Sequence, residues 1–218
     1  MPVSASLQNF KFGPDHLQVF VPDLAMVKEQ YHQLKKDDPS VAFPYWSQVW
    51  PAALGLCHFL ADHTHYIQHK KVLELAAGLG LPSLLTARYA LEVYASDHIP
   101  EAVELIKRSA DHNGIRNMRC GVLDWNHLPG NISTDVLLLS DINYDPNVFE
   151  IVFTVLQNFL NKGTTVILST PQRLMAKPFI DRLAPFSKNK DEVLVENSGQ
   201  QTIITVLVLK SMKRRFLR

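Results

Sequence analysis

Four acidic residues and two glycines mark where this chain could do chemistry. Glu74 closes the apolar run Val72-Leu73-Glu74, and Leu75-Ala76-Ala77-Gly78-Leu79-Gly80 follows it. Glycines directly after a strand let backbone N–H groups approach a nucleotide-like ligand, since no Cβ stands in the way. Leu81-Pro82-Ser83-Leu84-Leu85 then opens a helix with proline near its first position. Asp97 lies 19 residues beyond Gly78, a spacing that puts a carboxylate within reach of two ribose hydroxyls. Asp124 could accept from an adenine amino group, with Trp125 lining the base or the pocket mouth. Asp141, with Tyr144 three residues on, ends a fourth apolar run. Taken singly, each carboxylate is equally a helix cap or a loop acid, and the glycine turn is equally a tight turn. Three carboxylates at three consecutive strand ends point together to a ligand.

The elements that must position these residues are legible as alternation. Val72–Leu75, Glu92–Ser96, Met118–Leu123, Asp135–Ser140 and Thr164–Ser169 are mostly continuous apolar runs, which suits strands covered on both faces. Between them runs helical periodicity. One helix starts at Pro100 and stops at Asn113-Gly114, a second runs from Pro146 to Asn161, and a third covers Leu174–Leu183 with Pro178 interrupting it. Alternating strands and helices require a parallel sheet with helices on both faces, and ligands of such sheets bind at the carboxyl ends of the strands. Two further strands, Glu192–Glu196 and Thr202–Leu209, are separated by only five residues, which predicts an antiparallel hairpin.

Residues 1–65 read as an N-terminal appendage, with a strand at Leu17–Val21 and helices at Leu24–Leu34 and Pro51–Leu60; residues 66–218 read as the main domain. The appendage contains Tyr45-Trp46-Ser47-Gln48-Val49-Trp50, aromatic enough either to pack on the sheet or to line a pocket.

Composition narrows the partners. With 22 Lys and Arg against 21 Asp and Glu in 218 residues, the net charge of +1 gives no electrostatic case for nucleic acid. The basic tail Lys210-Ser211-Met212-Lys213-Arg214-Arg215-Phe216-Leu217-Arg218 reads as a solvated end. No apolar run is long enough for a membrane span and the N-terminus is unlike a secretory signal, so a cytoplasmic location is expected. Cys57 and Cys120 are too far apart in sequence for a CxxC site and are expected as buried thiols. His58, His63, His65 and His69 lie close together, but no carboxylate or cysteine repeats beside them at ligand spacing, so no metal site is assigned.

The turn itself discriminates among nucleotide ligands. Ser83 stands where a dinucleotide fingerprint wants its third glycine, and no GK[ST] follows, so a P-loop is excluded and NAD is disfavoured. A nucleoside without a pyrophosphate fits better. Its cationic sulfonium form suits carboxylates and tryptophans.

From about Trp46 to Leu209 the chain resembles the seven-stranded S-adenosylmethionine-dependent methyltransferases, most closely family 16, which includes protein-lysine methyltransferases and nicotinamide N-methyltransferase-like proteins. The residues that carry the likeness are Trp50-Pro51-Ala52-Ala53, the run from Val72 to Leu81, Ser96-Asp97, Leu123-Asp124-Trp125 and Asp141-Ile142-Asn143-Tyr144. The resemblance implies an α/β, Rossmann-like class I sheet with strands one to five parallel and a terminal hairpin. It implies S-adenosyl-L-methionine as cofactor, held by Trp50, Glu74, Ala76, Gly78, Gly80, Asp97, Asp124, Trp125 and Asp141. Asp141 and Tyr144 match the DxxY motif beside the transferred methyl and are the candidate catalytic pair. The expected reaction is N-methylation of a lysine or other amine in a protein or small molecule. A non-catalytic sensor or interaction protein of the same fold is the alternative. The chain departs from the family at Ala76, where glycine is usual.

Overall fold

The structure is a computed structural model that describes residues 4–197 and 199–211; the basic tail from Met212 onward lies outside the described residues. The chain opens with an antiparallel hairpin, β1 (Ala5–Phe12) and β2 (Asp15–Pro22), which forms a two-stranded sheet of its own. Only the second of these strands is expected from the sequence. β1 is largely exposed and polar, so it lacks the apolar run by which the other strands are recognised, and Gly13, at φ +55°, turns the chain between the two. Helix α1 (Leu24–Asp37) follows, its first turn capped by the Asp23 carboxylate, which accepts from the N–H groups of Ala25 and Met26. Helix α2 (Pro51–Asp62) starts on its own proline.

Nine residues later the main sheet begins. β3 (Lys71–Glu74), β4 (Glu92–Asp97), β5 (Met118–Val122), β6 (Val136–Ser140) and β7 (Thr165–Pro171) are all parallel. β8 (Ser187–Asn197) and β9 (Gln200–Leu209) form the closing hairpin, with β9 antiparallel to β7. The spatial order is β5-β4-β3-β6-β7-β9-β8. This is the doubly wound sheet with a terminal hairpin that the alternation predicts. β8 begins five residues earlier than expected because its first half, Ser187-Lys188-Asn189-Lys190-Asp191, is polar, as suits an edge strand with a bulge near Asn189.

Side-chain alternation along the strands builds two cores. Val72, Leu138, Ile167, Val206 and Val208 face a layer made by α2, α3 (Leu81–Thr86) and α4 (Pro100–His112). Leu73, Leu137, Leu139, Val166, Leu168, Leu207 and Leu209 face α5 (Phe149–Asn161) and α6 (Lys177–Leu183). α2 belongs fully to the first layer, burying Ala52, Leu56, Cys57, Phe59 and Leu60, and its Gly55 lies against Ile204 of β9. Pro178 does not interrupt the third helix. It stands in the first turn of α6, after a short 3-10 turn at Leu174–Ala176, where a missing N–H is harmless. Pro146 likewise opens a 3-10 turn, and α5 proper starts at Phe149. Cys57 is buried, while Cys120 is only partly so. Among the described residues, no helix is long and apolar enough to cross a membrane.

Candidate functional site

The acidic residues and the glycine turn gather at the carboxyl ends of β3, β4 and β6. Glu74 ends β3 and is fully buried. Its Oε2 accepts from the Ser83 N–H at 2.9 Å and the Ser83 hydroxyl at 2.5 Å, so the strand is tied to the first turn of α3. Its Oε1 is buried without a hydrogen-bond partner. Burial pushes the Glu74 carboxyl up to about 8, against the lowering effect of both Ser83 hydrogen bonds, and the charge of Asp97 adds to the rise. Ser83 is therefore not a defective third glycine but the partner of Glu74.

Three residues of the following turn have left-handed backbones: Ala76 at φ +52°, Gly78 at +56° and Gly80 at +69°. At Gly80 the need for glycine is also steric, since a Cβ there would stand 2.9 Å from the Ile106 side chain of α4. The Gly78 N–H donates to Asp97 Oδ2 at 2.9 Å, so the 19-residue spacing appears as a direct contact. The other Asp97 oxygen accepts from the Ile99 N–H at 3.0 Å and lies 3.3 Å from His98 Nδ1. Asp97 raises the pKa of His98 through that hydrogen bond.

Asp124 is more open. It accepts from the Asn126 backbone N–H and side chain and meets His127 Nδ1 at 3.0 Å, and these bonds hold its carboxyl below the usual range. Trp125 packs half-buried against the same core that Ala76 touches.

Asp141 follows β6 directly. Its backbone is left-handed, at φ +54°, and its N–H donates to Ser169 O of β7 at 2.9 Å. Its carboxylate is gripped by both terminal nitrogens of Arg173, Nη1 on Oδ1 and Nη2 on Oδ2, the latter at 2.9 Å. Asn143, two residues on, is 1% exposed, and neither polar atom of its side chain has a partner. Tyr144 stands with its ring centroid 4.8 Å from Tyr45, which lies 6.0 Å from the ring of Trp50. The Trp50 indole N–H donates to Tyr45 O at 2.7 Å. Phe43 extends this aromatic wall, 5.0 Å from Tyr45. The segment also approaches the glycine turn, where a Cβ on Gly78 would meet Trp46 O at 3.5 Å. Burial raises the Tyr144 phenol, with smaller contributions from Tyr45, Asp145, Asp97 and Asp141.

The structure thus brings Glu74, Ala76, Gly78, Gly80 and Asp97 into one tied turn, and Trp50, Tyr144 and Tyr45 into one aromatic wall. Asp124 keeps its own local hydrogen bonds. Arg173 belongs to no motif and Asn143 stands only inside one; the pairing of the first and the isolation of the second depend on three-dimensional neighbours. Chemically, the arrangement offers a turn that lacks a Cβ at Gly78 and Gly80, buried polar atoms without partners among the described residues, and aromatic faces beside carboxylates.

A parallel sheet with this strand order, its closing hairpin, and a glycine turn tied to the acidic residue of the next strand define a class I methyltransferase fold. Precorrin-6y C5,15-methyltransferase from Geobacter metallireducens GS-15 shares it, with a TM-score of 0.55 and 12% identity over 73% of this chain and 87% of that one. So does SMU.776 complexed with SAH, at a TM-score of 0.61 and 14% identity over 94% of this chain and 56% of that one. More narrowly, the chain belongs to the lysine methyltransferase family, whose match runs over residues 34–186. The resemblance seen in the motifs therefore holds. Among curated relatives, human histone-arginine methyltransferase METTL23 is 29% identical over 55% of this chain and 66% of its own length. Mouse EEF1A lysine methyltransferase 3 is 31% identical over 64% of this chain and 62% of its own. The matches span less than two thirds of either relative.

Proposed function

We propose that this protein is an S-adenosylmethionine-dependent methyltransferase acting on a side-chain nitrogen of a protein. The observation that carries the reading is the hydrogen bond from Gly78 to Asp97, which fixes the glycine turn against a carboxylate at the next strand end. The residues present fit the cofactor: a Cβ at Gly78 would fill the gap beside Trp46 O, at 3.5 Å, and Asn143 and Glu74 Oε1 are buried polar atoms without partners among the described residues. When bound, the cofactor supplies a methyl group activated on a sulfonium. In this reading Asp97 accepts from the ribose, Asp124 and Trp125 border the adenine, and Trp50 with Tyr45 closes the pocket. Glu74 and Ala76 shape the turn, and Gly78 and Gly80 let the cofactor and α4 approach it.

Asp141 and Tyr144 form the wall where the acceptor nitrogen arrives. A phenol is protonated at neutral pH and burial raises the Tyr144 hydroxyl further, so it orients rather than acts as a base. Alignment and exclusion of water carry the rate, because a leaving thioether needs no protonation. The relatives' names point to lysine or arginine as acceptor, and a small-molecule amine is the narrower option. One observation favours a second reading, a cofactor-binding protein that transfers nothing: the Asp141 carboxylate is already taken by Arg173.

Calorimetry tests the cofactor. S-adenosylhomocysteine is expected to bind in the micromolar range, roughly −8 kcal/mol, and NAD not to bind; the reverse order would overturn the reading. Labelled S-adenosylmethionine incubated with core histones and with a fractionated lysate then separates the two functions. Label in protein supports transfer, and binding without label supports the second reading.

A further inference from the structure

We propose that Arg173 is a positioning residue that neutralises Asp141, so that the pocket receives its methyl acceptor as an uncharged base. The proposal rests on the methyltransferase reading of the site. It starts from how firmly the pair is held. Asp141 is 8% exposed, its backbone is fixed in the left-handed region, and its N–H is bound to Ser169 O. Arg173 comes from just beyond β7, where the neighbouring Gln172 side chain donates to Glu192 of β8 at 3.0 Å and to Thr205 of β9 at 3.4 Å. Two strand ends therefore deliver one planar guanidinium to one carboxylate in matched geometry. The other titratable groups around the pair are Tyr144 and Asp145 of its own loop, Tyr45 across from them, Asp97 with His98 at the end of β4, and Glu192 through Gln172.

The charge of Asp141 matters because of what transfer requires. The nitrogen lone pair forms the new N–C bond, the C–S bond breaks with its electron pair going to sulfur, and the extra proton on nitrogen leaves to water. A protonated amine has no lone pair and cannot begin. An unpaired carboxylate in so buried a place would attract positive charge strongly. It would hold an arriving amine in its ammonium form, and it would bind the sulfonium ground state more tightly than the neutral thioether. Arg173 cancels both effects while leaving the carboxylate in place to shape the wall.

The sulfonium cofactor and its thioether product differ by one positive charge, so the ratio of their affinities reads the field of Asp141 without any acceptor. Calorimetry at neutral pH and low salt would measure both ligands on the parent protein, Arg173→Gln, Arg173→Lys, Asp141→Asn and the double variant Arg173→Gln/Asp141→Asn. Arg173→Gln is expected to shift the ratio toward S-adenosylmethionine by about tenfold, equivalent to about 1.4 kcal/mol. Arg173→Lys, which keeps the charge, should stay within about twofold of the parent. The double variant, with both charges gone, should return to within about twofold of the parent ratio, as expected if the pair is electrically neutral. Asp141→Asn alone, with a residue that also tolerates a left-handed backbone, should shift the ratio toward the thioether, which keeps the test open if Arg173→Gln does not fold. A ratio unmoved by Arg173→Gln, or a double variant as far from the parent ratio as Arg173→Gln alone, overturns the proposal alone. A parent protein that binds neither ligand overturns it together with the methyltransferase reading.

Discussion

An alanine held at φ +52° is under strain, since a left-handed backbone costs an L-residue other than glycine about 1–2 kcal/mol. Ala76 accepts that cost in the first bend of the glycine turn, and Asp141 sits at φ +54° at the neighbouring strand end, where aspartate's short polar side chain is better tolerated. Strain of this kind collects at ligand sites, where surrounding structure overrules local preference. Ala76→Gly relieves it but frees the unfolded chain and gives up a methyl packed on the α5 face, so the net gain is expected at about 0.5–1 kcal/mol. That corresponds to a rise in Tm of roughly 2 °C by calorimetry, with S-adenosylhomocysteine bound at least as tightly. A lower Tm would mean that packing of the methyl outweighs the backbone. The departure at position 76 is visible in the sequence, but its sign on φ is a property of the folded turn. The 19-residue spacing from Gly78 to Asp97 is equally visible, but the hydrogen bond that joins the two is seen only in the folded turn. Arg173 and Asp141 are 32 residues apart, and their meeting depends on β6 and β7 being neighbours with Ser140 opposite Ser169.

The link between β3 and α3 is a carboxyl group with a serine clasped to one oxygen and nothing on the other. Its elevated pKa makes that link sensitive to pH. The folded state binds the Glu74 proton more tightly than the unfolded chain does, so this contribution to stability is fully present below the unfolded value near 4.5. It declines as pH rises and is lost above about 8. Within that window the slope from one group is about 1.4 kcal/mol per pH unit, or roughly 3 °C in Tm. Glu74→Gln, neutral throughout, is expected to unfold with a visibly flatter pH dependence between pH 5 and 8; parallel curves for the two proteins would show that the carboxyl is ionised when folded. Elements were legible wherever burial imposed a pattern. The central strands β3, β4, β6 and β7 are mostly buried and stand out, whereas β1 and the start of β8 lie at exposed edges that tolerate polar residues. Pro178 misleads for a related reason, because proline breaks a helix interior but begins a first turn, and the sequence alone leaves the boundary at Lys177 undetermined.

At the scale of the molecule, the N-terminal part and the sheet share one core. α2 carries Ala52, Leu56, Cys57, Phe59 and Leu60 into the same layer as Val72, Leu138 and Ile204, and the Ser169 hydroxyl of β7 donates to Ala52 O at 2.9 Å. The aromatic wall of Tyr45 and Trp50 runs directly into α2, so its placement depends on how this helix is seated. Gly55 is the point of closest approach: a Cβ there would lie 2.7 Å from Ile204 Cβ and 2.8 Å from its Cγ2. Gly55→Ala sets two effects against each other. Helix propensity favours alanine by about 1 kcal/mol, while overpacking a rigid contact costs about 1–3 kcal/mol. Ile204 Cβ is fixed to the β9 backbone and no side-chain rotation moves it away, so overpacking should win by about 1 kcal/mol, or roughly 3 °C in Tm. Because the helix and the sheet fold together, the loss should appear at one midpoint, the same by far-UV circular dichroism, which follows the sheet and helices, and by near-UV circular dichroism, which follows the aromatic wall. Two separated midpoints in the variant would show instead that α2 and the aromatic segment unfold as a unit of their own, and that the pocket opens before the sheet is lost.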